Sequence, residues 1–179
     1  MEKEKRIVIR EVYIAADNIL SPIGNSPHGN FENVKNGESA IRQISDSDIS
    51  LEPFYASMFP VEFWETETNE QTRFEKLCIS SIEDALSQTE IKLSSSDTIF
   101  ILSTTKGNIE LLENAEVSEE VRKRVSLFET AKIISQYFNA ANKPLVVSNA
   151  CISGVLSIII AKRLLKAGKC KHAVITGAD

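Results

Sequence analysis

Apolar and polar positions follow two different periods along the chain. Residues 7–20, IVIREVYIAADNIL, carry Ile and Val in partial alternation, which predicts a long strand ended by the turn residues of SPIGNSPHGN. A short helix is expected over residues 31–35, closed by Asn36 and Gly37. Residues 38–68 mix short apolar pieces with Pro53 and Pro60 and hold Phe54, Tyr55, Phe59, Phe63 and Trp64, so an irregular excursion with one or two short strands is expected there. Phe74, Leu77, Cys78, Ser81, Ile82, Ala85 and Leu86 then recur at helical spacing, which leaves Glu75, Lys76, Glu83 and Asp84 for the opposite, solvated face. Thr68 with Gln71 fits a capping box for this helix.

The second half of the chain alternates strands and helices. TIFILS, residues 98–103, is a continuous apolar run of the kind covered on both faces, and it ends in TTKGN. Charged residues dominate 113–124, as in a solvated helix or loop, and Ser126 with Glu129 suggests a second capping box before a helix carrying Phe128, Ala131, Ile134 and Phe138. Pro144 leads into the strand LVVS. A helix follows Cys151 to about Ala167, and because residues 155–161 are apolar nearly all round it is expected at the centre of the fold. Lys162, Arg163 and Lys166 lie near its end, Gly168 stops it, and AVITG forms the last strand. This order predicts an α/β fold over residues 1–179, a mostly parallel sheet between helix layers, with the excursion at about 38–68.

Composition narrows the function classes. The 179 residues are 42% hydrophobic and 25% charged, enough for one sizeable core. A net charge of −5 argues against nucleic acid as a partner, since nucleic acid calls for a basic face. The cysteines Cys78, Cys151 and Cys170 are widely spaced and the histidines are His28 and His172, so no metal site and no cofactor is expected. MEKEKRIVIREV has no apolar signal core, and residues 155–161 fall far short of a membrane span of roughly 20 residues. The expected compartment is the cytoplasm, with free thiols.

SNACISG, residues 148–154, places a cysteine between the end of a strand and the start of a helix. In an open α/β sheet, sites form at the C-terminal ends of strands. A helix N-terminus carries partial positive charge and free N–H groups, which favour an anionic sulfur and a developing oxyanion. Asn149 and Ala150 tolerate a tight turn, Ser153 and Gly154 keep the space small, and Gly154 gives up roughly 1 kcal/mol of helix propensity against Ala, as expected where backbone or substrate passes close by. The same residues also suit a plain tight turn into a buried helix, and the residues alone leave both options open. A nucleophile needs proton-transfer partners. His172 starts the last strand, about 15 helical residues at 1.5 Å away, so roughly 20 Å from Cys151. His28 lies in a Gly/Pro-rich loop and Cys170 beside His172, while Cys78 belongs to a buried stripe.

SNACISG resembles the active-site cysteine motif of the β-ketoacyl synthases, the condensing enzymes of fatty-acid and polyketide synthesis, in which a small residue, Ala-Cys, one residue and Ser-Gly recur. SPIGN with FENVKNGESAI, QTRFEKLCISSIEDAL, ILSTTKGN and HAVITGAD resemble further pieces of the same family in the same order. The resemblance implies the N-terminal half of a thiolase-like fold, with Cys151 accepting an acyl group from an acyl carrier protein thioester. A malonyl carrier then loses carbon dioxide and its carbanion attacks. It implies Cys151 N–H as an oxyanion donor, Thr104, Thr105 and Gly107 near the substrate pocket, and a homodimer or synthase heterodimer.

Family members are about twice as long, and their paired histidines and lysine lie in the second half. The resemblance therefore implies an N-terminal piece that lacks the last strand of its half and is inactive alone. Two alternatives are a non-catalytic half-fold that binds a synthase subunit or carrier protein, and a thiol hydrolase using His28.

Overall fold

The structure, a computed structural model, describes residues 11–64, 71–113 and 118–178. The chain divides into two compact units, residues 16–73 and the remainder.

The smaller unit holds α1 (Pro27–Lys35), an antiparallel pair β1 (Ile41–Ile44) and β2 (Phe54–Ser57), and the short α2 (Val61–Trp64). α1 starts four residues earlier than hydrophobic periodicity predicts, because its start is set by capping. Ser26 Oγ accepts the Gly29 N–H at 3.1 Å, and Pro27 occupies a first-turn position whose N–H would have no partner. It closes at Asn36, with Gly37 at φ +80 as expected. The excursion holds two short strands where one or two are expected.

The long strand predicted over 7–20 does not form at its described positions, 11–20, which pair with no strand among the described residues; residues 7–10 lie outside them. Ala15 to Asn18 are poor strand formers, and the Asn18 side chain donates to the Asn25 carbonyl at 2.9 Å, a local bond that favours a loop.

The larger unit contains α3 (Arg73–Ser87), β3 (Thr98–Ser103), a 3-10 turn at Ile109–Leu112, α4 (Glu119–Arg124), α5 (Leu127–Tyr137), β4 (Leu145–Val147), α6 (Ser153–Lys166) and β5 (His172–Gly177). Its strands are parallel in the order β4-β3-β5, with Ser103 opposite both Val147 and Gly177. Side chains alternate across the sheet. Phe100, Leu102, Val146 and Val174 pack with Phe74, Cys78, Ile79 and Ile82 of α3 and Ala131 and Ile134 of α5. Ile99, Ile101, Val147, Ala173 and Ile175 pack with Leu156, Ile160 and Ala161 of α6 on the other face. The sheet is thus covered on both faces, as the apolar run at 98–103 predicts. Burial of Phe100, Ile101 and Leu102, all at or below 1% exposure, stabilises the fold by about 1.5–3 kcal/mol each.

Two local expectations fail, and a third, the capping box of Thr68 with Gln71, involves a residue outside the described ones; α3 starts at Arg73. Ser126 is the N-cap of α5 but its side chain makes no cap bond; its carbonyl accepts the Thr130 N–H and hydroxyl instead. α6 is not buried all round: Val155 and Ile158 are 62% and 56% exposed, because within this unit only one sheet face covers it.

Glu75 departs furthest from the sequence pattern. Placed on the solvated face by periodicity, it is fully buried. Its Oε1 accepts from Asn108 Nδ2 at 2.9 Å and its Oε2 from Arg124 Nη2 at 2.7 Å, while Asn108 also donates to the Arg124 carbonyl. A buried carboxylate is tolerated when its oxygens are bonded and its charge is matched. The partners come from 33 and 49 residues away, so no local period signals them.

Removing one partner costs unequally. Arg124→Met strands a buried carboxylate and is expected to lower the unfolding free energy by about 3–5 kcal/mol. Glu75→Gln keeps an acceptor for Asn108 and leaves an arginine that reaches water, so it should cost less. Urea unfolding of both variants measures this, and an equal or reversed order contradicts the network.

Candidate active site

Because the strands are parallel, all three end on one edge of the sheet. The chain leaves β3 toward α5 on one face and leaves the adjacent β4 toward α6 on the other. Neighbouring strands whose connections diverge leave a crevice between them. The Thr104 N–H donates to the Val147 carbonyl at 3.3 Å and ties the two strand ends together.

Cys151 occupies the turn between β4 and α6. The turn is sharp: Ala150 takes φ +43, left-handed backbone that costs a non-glycine residue energy. The Ile152 N–H donates to the Asn149 carbonyl at 3.1 Å and the Ser153 N–H to the Ala150 carbonyl at 3.3 Å. The buried Ser153 hydroxyl closes the turn from inside, accepting the Asn149 N–H at 2.7 Å and donating to the Ala150 carbonyl at 2.8 Å. Ser157 then donates to the Ser153 carbonyl at 2.9 Å. Sequence reasoning saw in Ser153 only a small residue. A serine four positions past Asn149 was the available signal, since such hydroxyls bond local backbone.

The turn presents Cys151 exposed, two residues before the first residue of α6. Beside it lies a cavity of about 280 Å³ lined by Ser103, Ala150, Cys151, Ser153, Gly154, Gly177 and Ala178. The lining is small side chains and backbone from the C-terminal ends of β3 and β5 and from the turn between β4 and α6. A Cβ on Gly177 would stand 3.0 Å from the Ser103 carbonyl, so the floor between β3 and β5 closes only because Gly177 has none. At Gly154 no other backbone passes close by: a Cβ there would meet no atom within 4 Å outside its own helical turn.

Thr104, Thr105 and Gly107 form the turn after β3, next to Ser103, and none of them lines the cavity. Thr104 is fully buried and its Oγ1 accepts the N–H groups of Lys106 and Gly107, each at 3.1 Å. Gly107 has φ +56, and a Cβ would stand 2.7 Å from Leu127 Cδ2.

The remaining thiols and imidazoles sort clearly. Cys78 lies in the core between α3 and the sheet, and burial pushes its thiol up to about 12, against the opposing effect of a bond to Thr176. Burial also raises the Cys170 thiol. His172 pairs with Thr98 at the start of β5, five residues before Gly177, so it stands about 17 Å from the Cys151 edge. His28 is exposed on α1 of the other unit. Among the described residues there is no group of three or more His, Cys, Asp or Glu arranged to hold a metal, and no helix long and apolar enough to cross a membrane.

The family model for the β-ketoacyl synthase N-terminal domain matches residues 9–179. Solved structures share the fold. The ishigamide ketosynthase/chain length factor superposes with a TM-score of 0.74 at 18% identity, over 93% of this chain and 52% of that one. A β-ketoacyl synthase from Burkholderia phymatum superposes with a TM-score of 0.65 at 19% identity, over 88% of this chain and 44% of that one. The chain thus spans about half the length of these structures. No curated protein matches the sequence.

At pH 8 a disulfide reagent should find one fast thiol, Cys151, in the folded chain and all three after denaturation, because Cys78 and Cys170 are buried and protonated there. A second fast thiol in the folded chain contradicts this. Ala150→Val forces a β-branched residue into left-handed backbone and is expected to cost about 1–3 kcal/mol by urea unfolding. An unchanged midpoint would mean that the turn has another shape.

Proposed function

The chain belongs to the β-ketoacyl synthase family, and on that premise we propose that it carries the nucleophile half of a condensing acyltransferase in which Cys151 takes up the acyl group. The observation that carries this is an exposed thiol beside a cleft, held at a strand–helix turn by a buried hydroxyl.

In the proposed transfer, Cys151 Sγ attacks the carbonyl carbon of an acyl thioester borne by an acyl carrier protein. The C–S bond to the carrier breaks, and the carrier thiol departs with the proton given up by Cys151. The oxyanion of the intermediate is met by the Cys151 N–H and the positive end of α6. In the condensation, a malonyl carrier loses carbon dioxide, its carbanion attacks the Cys151 thioester, and the cysteine leaves as thiolate while the β-ketoacyl group stays on the carrier. The decarboxylating histidines and lysine of the family have no matching motif in these 179 residues. Acyl loading therefore belongs to this chain and decarboxylation does not. A homodimer or synthase heterodimer in the cytoplasm, serving fatty-acid or polyketide synthesis, completes the proposal.

A second reading, a non-catalytic half-fold binding a synthase subunit or carrier protein, draws on the exposed Ile152, Val155 and Ile158 along α6. Mass spectrometry separates the two. Incubation with an acyl pantetheine thioester should add one acyl group, mapped to Cys151, and Cys151→Ala should reduce the adduct to background. An adduct that survives the substitution rejects Cys151 as the acceptor, and no adduct at all favours the binding reading. The chain alone is further expected to release no carbon dioxide from a malonyl thioester; measurable release would contradict the division of labour.

A further inference from the structure

A glycine in the first turn of a helix gives up helix propensity, and a compensating reason is expected. Six of the seven glycines in this chain have one. Gly37, Gly107 and Gly168 take positive φ. A Cβ on Gly24, Gly29 or Gly177 would stand 2.8, 3.2 or 3.0 Å from its nearest neighbour. Gly154 has neither reason: its φ is not positive and a Cβ on it meets nothing within 4 Å.

Gly154 is exposed and helps to line the cavity beside Cys151. It lines the same cavity as Cys151, so a side chain there would take up space beside the thiol. The neighbouring walls are fixed. Ser153 is committed to the turn, and Gly177 closes on Ser103. Gly154 is therefore the position where added atoms enlarge the wall without disturbing the chain.

We propose that Gly154 determines the size of the group that reaches Cys151, its absent side chain leaving room for the acyl segment next to the thioester carbonyl. This rests on the acyl-transfer function above for the identity of the ligand, but not for the size limit itself.

The test compares Gly154→Ala and Gly154→Leu with the unaltered full chain. Cys151 is alkylated with iodoacetamide, which is small, and with N-phenylmaleimide, which is bulky; acetyl and decanoyl pantetheine thioesters are run in parallel. Iodoacetamide rates should stay within about threefold of wild type. Rates with the maleimide and the decanoyl thioester should fall by about tenfold or more in the leucine variant, the range a few misplaced carbons command in a pocket, with alanine intermediate. Melting temperatures should not fall, since the new side chain meets nothing in the chain. If both alkylators keep their rate ratio in a leucine variant that melts like wild type, Gly154 does not set the limit. If the unaltered chain takes no acyl group from either thioester, acyl transfer fails, and the alkylator ratio still decides the role of Gly154.

Discussion

The Ser153 hydroxyl holds the site together. It accepts from the Asn149 N–H and donates to the Ala150 carbonyl, so one buried side chain satisfies both backbone groups across a left-handed turn. Without it the turn would leave a polar amide beside a buried strand end and have less to offset the strain at Ala150. With it, Cys151 projects from the sheet edge just ahead of α6 rather than folding into the core. Cys78, a thiol of the same chemistry placed between α3 and the sheet, shows the other outcome: burial keeps it protonated and inert.

The turn is in turn held by the sheet. β3 is paired on both edges and packed on both faces, and it sets where β4 and β5 end. The Thr104 bond to Val147 locks the ends of β3 and β4. Glu75, Asn108 and Arg124 pin the segment after β3 to α3 and α4 through a buried, charge-matched carboxylate. The same architecture leaves the outer side of α6 uncovered within the unit, with Val155 and Ile158 exposed.

Much of the larger unit was legible in the sequence. The apolar run at 98–103, the stripe on α3 and the strand–turn–helix around Cys151 follow from local periodicity and turn chemistry, and they fold as that chemistry predicts. What the sequence hid depends on partners distant in the chain. A strand needs a neighbour as well as β-branched residues, so 11–20 misled. Glu75 is polar by type but buried by pairing. α6 is apolar by type, yet half-covered because only one sheet face reaches it. Cys151 stood out from its place between strand and helix as well as from the motif resemblance, and Gly154 from its cost to the helix, but the bonds of the Ser153 hydroxyl emerged only from atomic distances.

The most direct measurement is a crystal structure of the chain after reaction with an acyl thioester. The account predicts continuous density from Cys151 Sγ to an acyl carbonyl carbon, with the acyl group passing over Gly154 and the Ser153–Asn149 bond intact. Density for the acyl group on another residue, or a Cys151 sulfur turned into the core and away from the cleft, would contradict it.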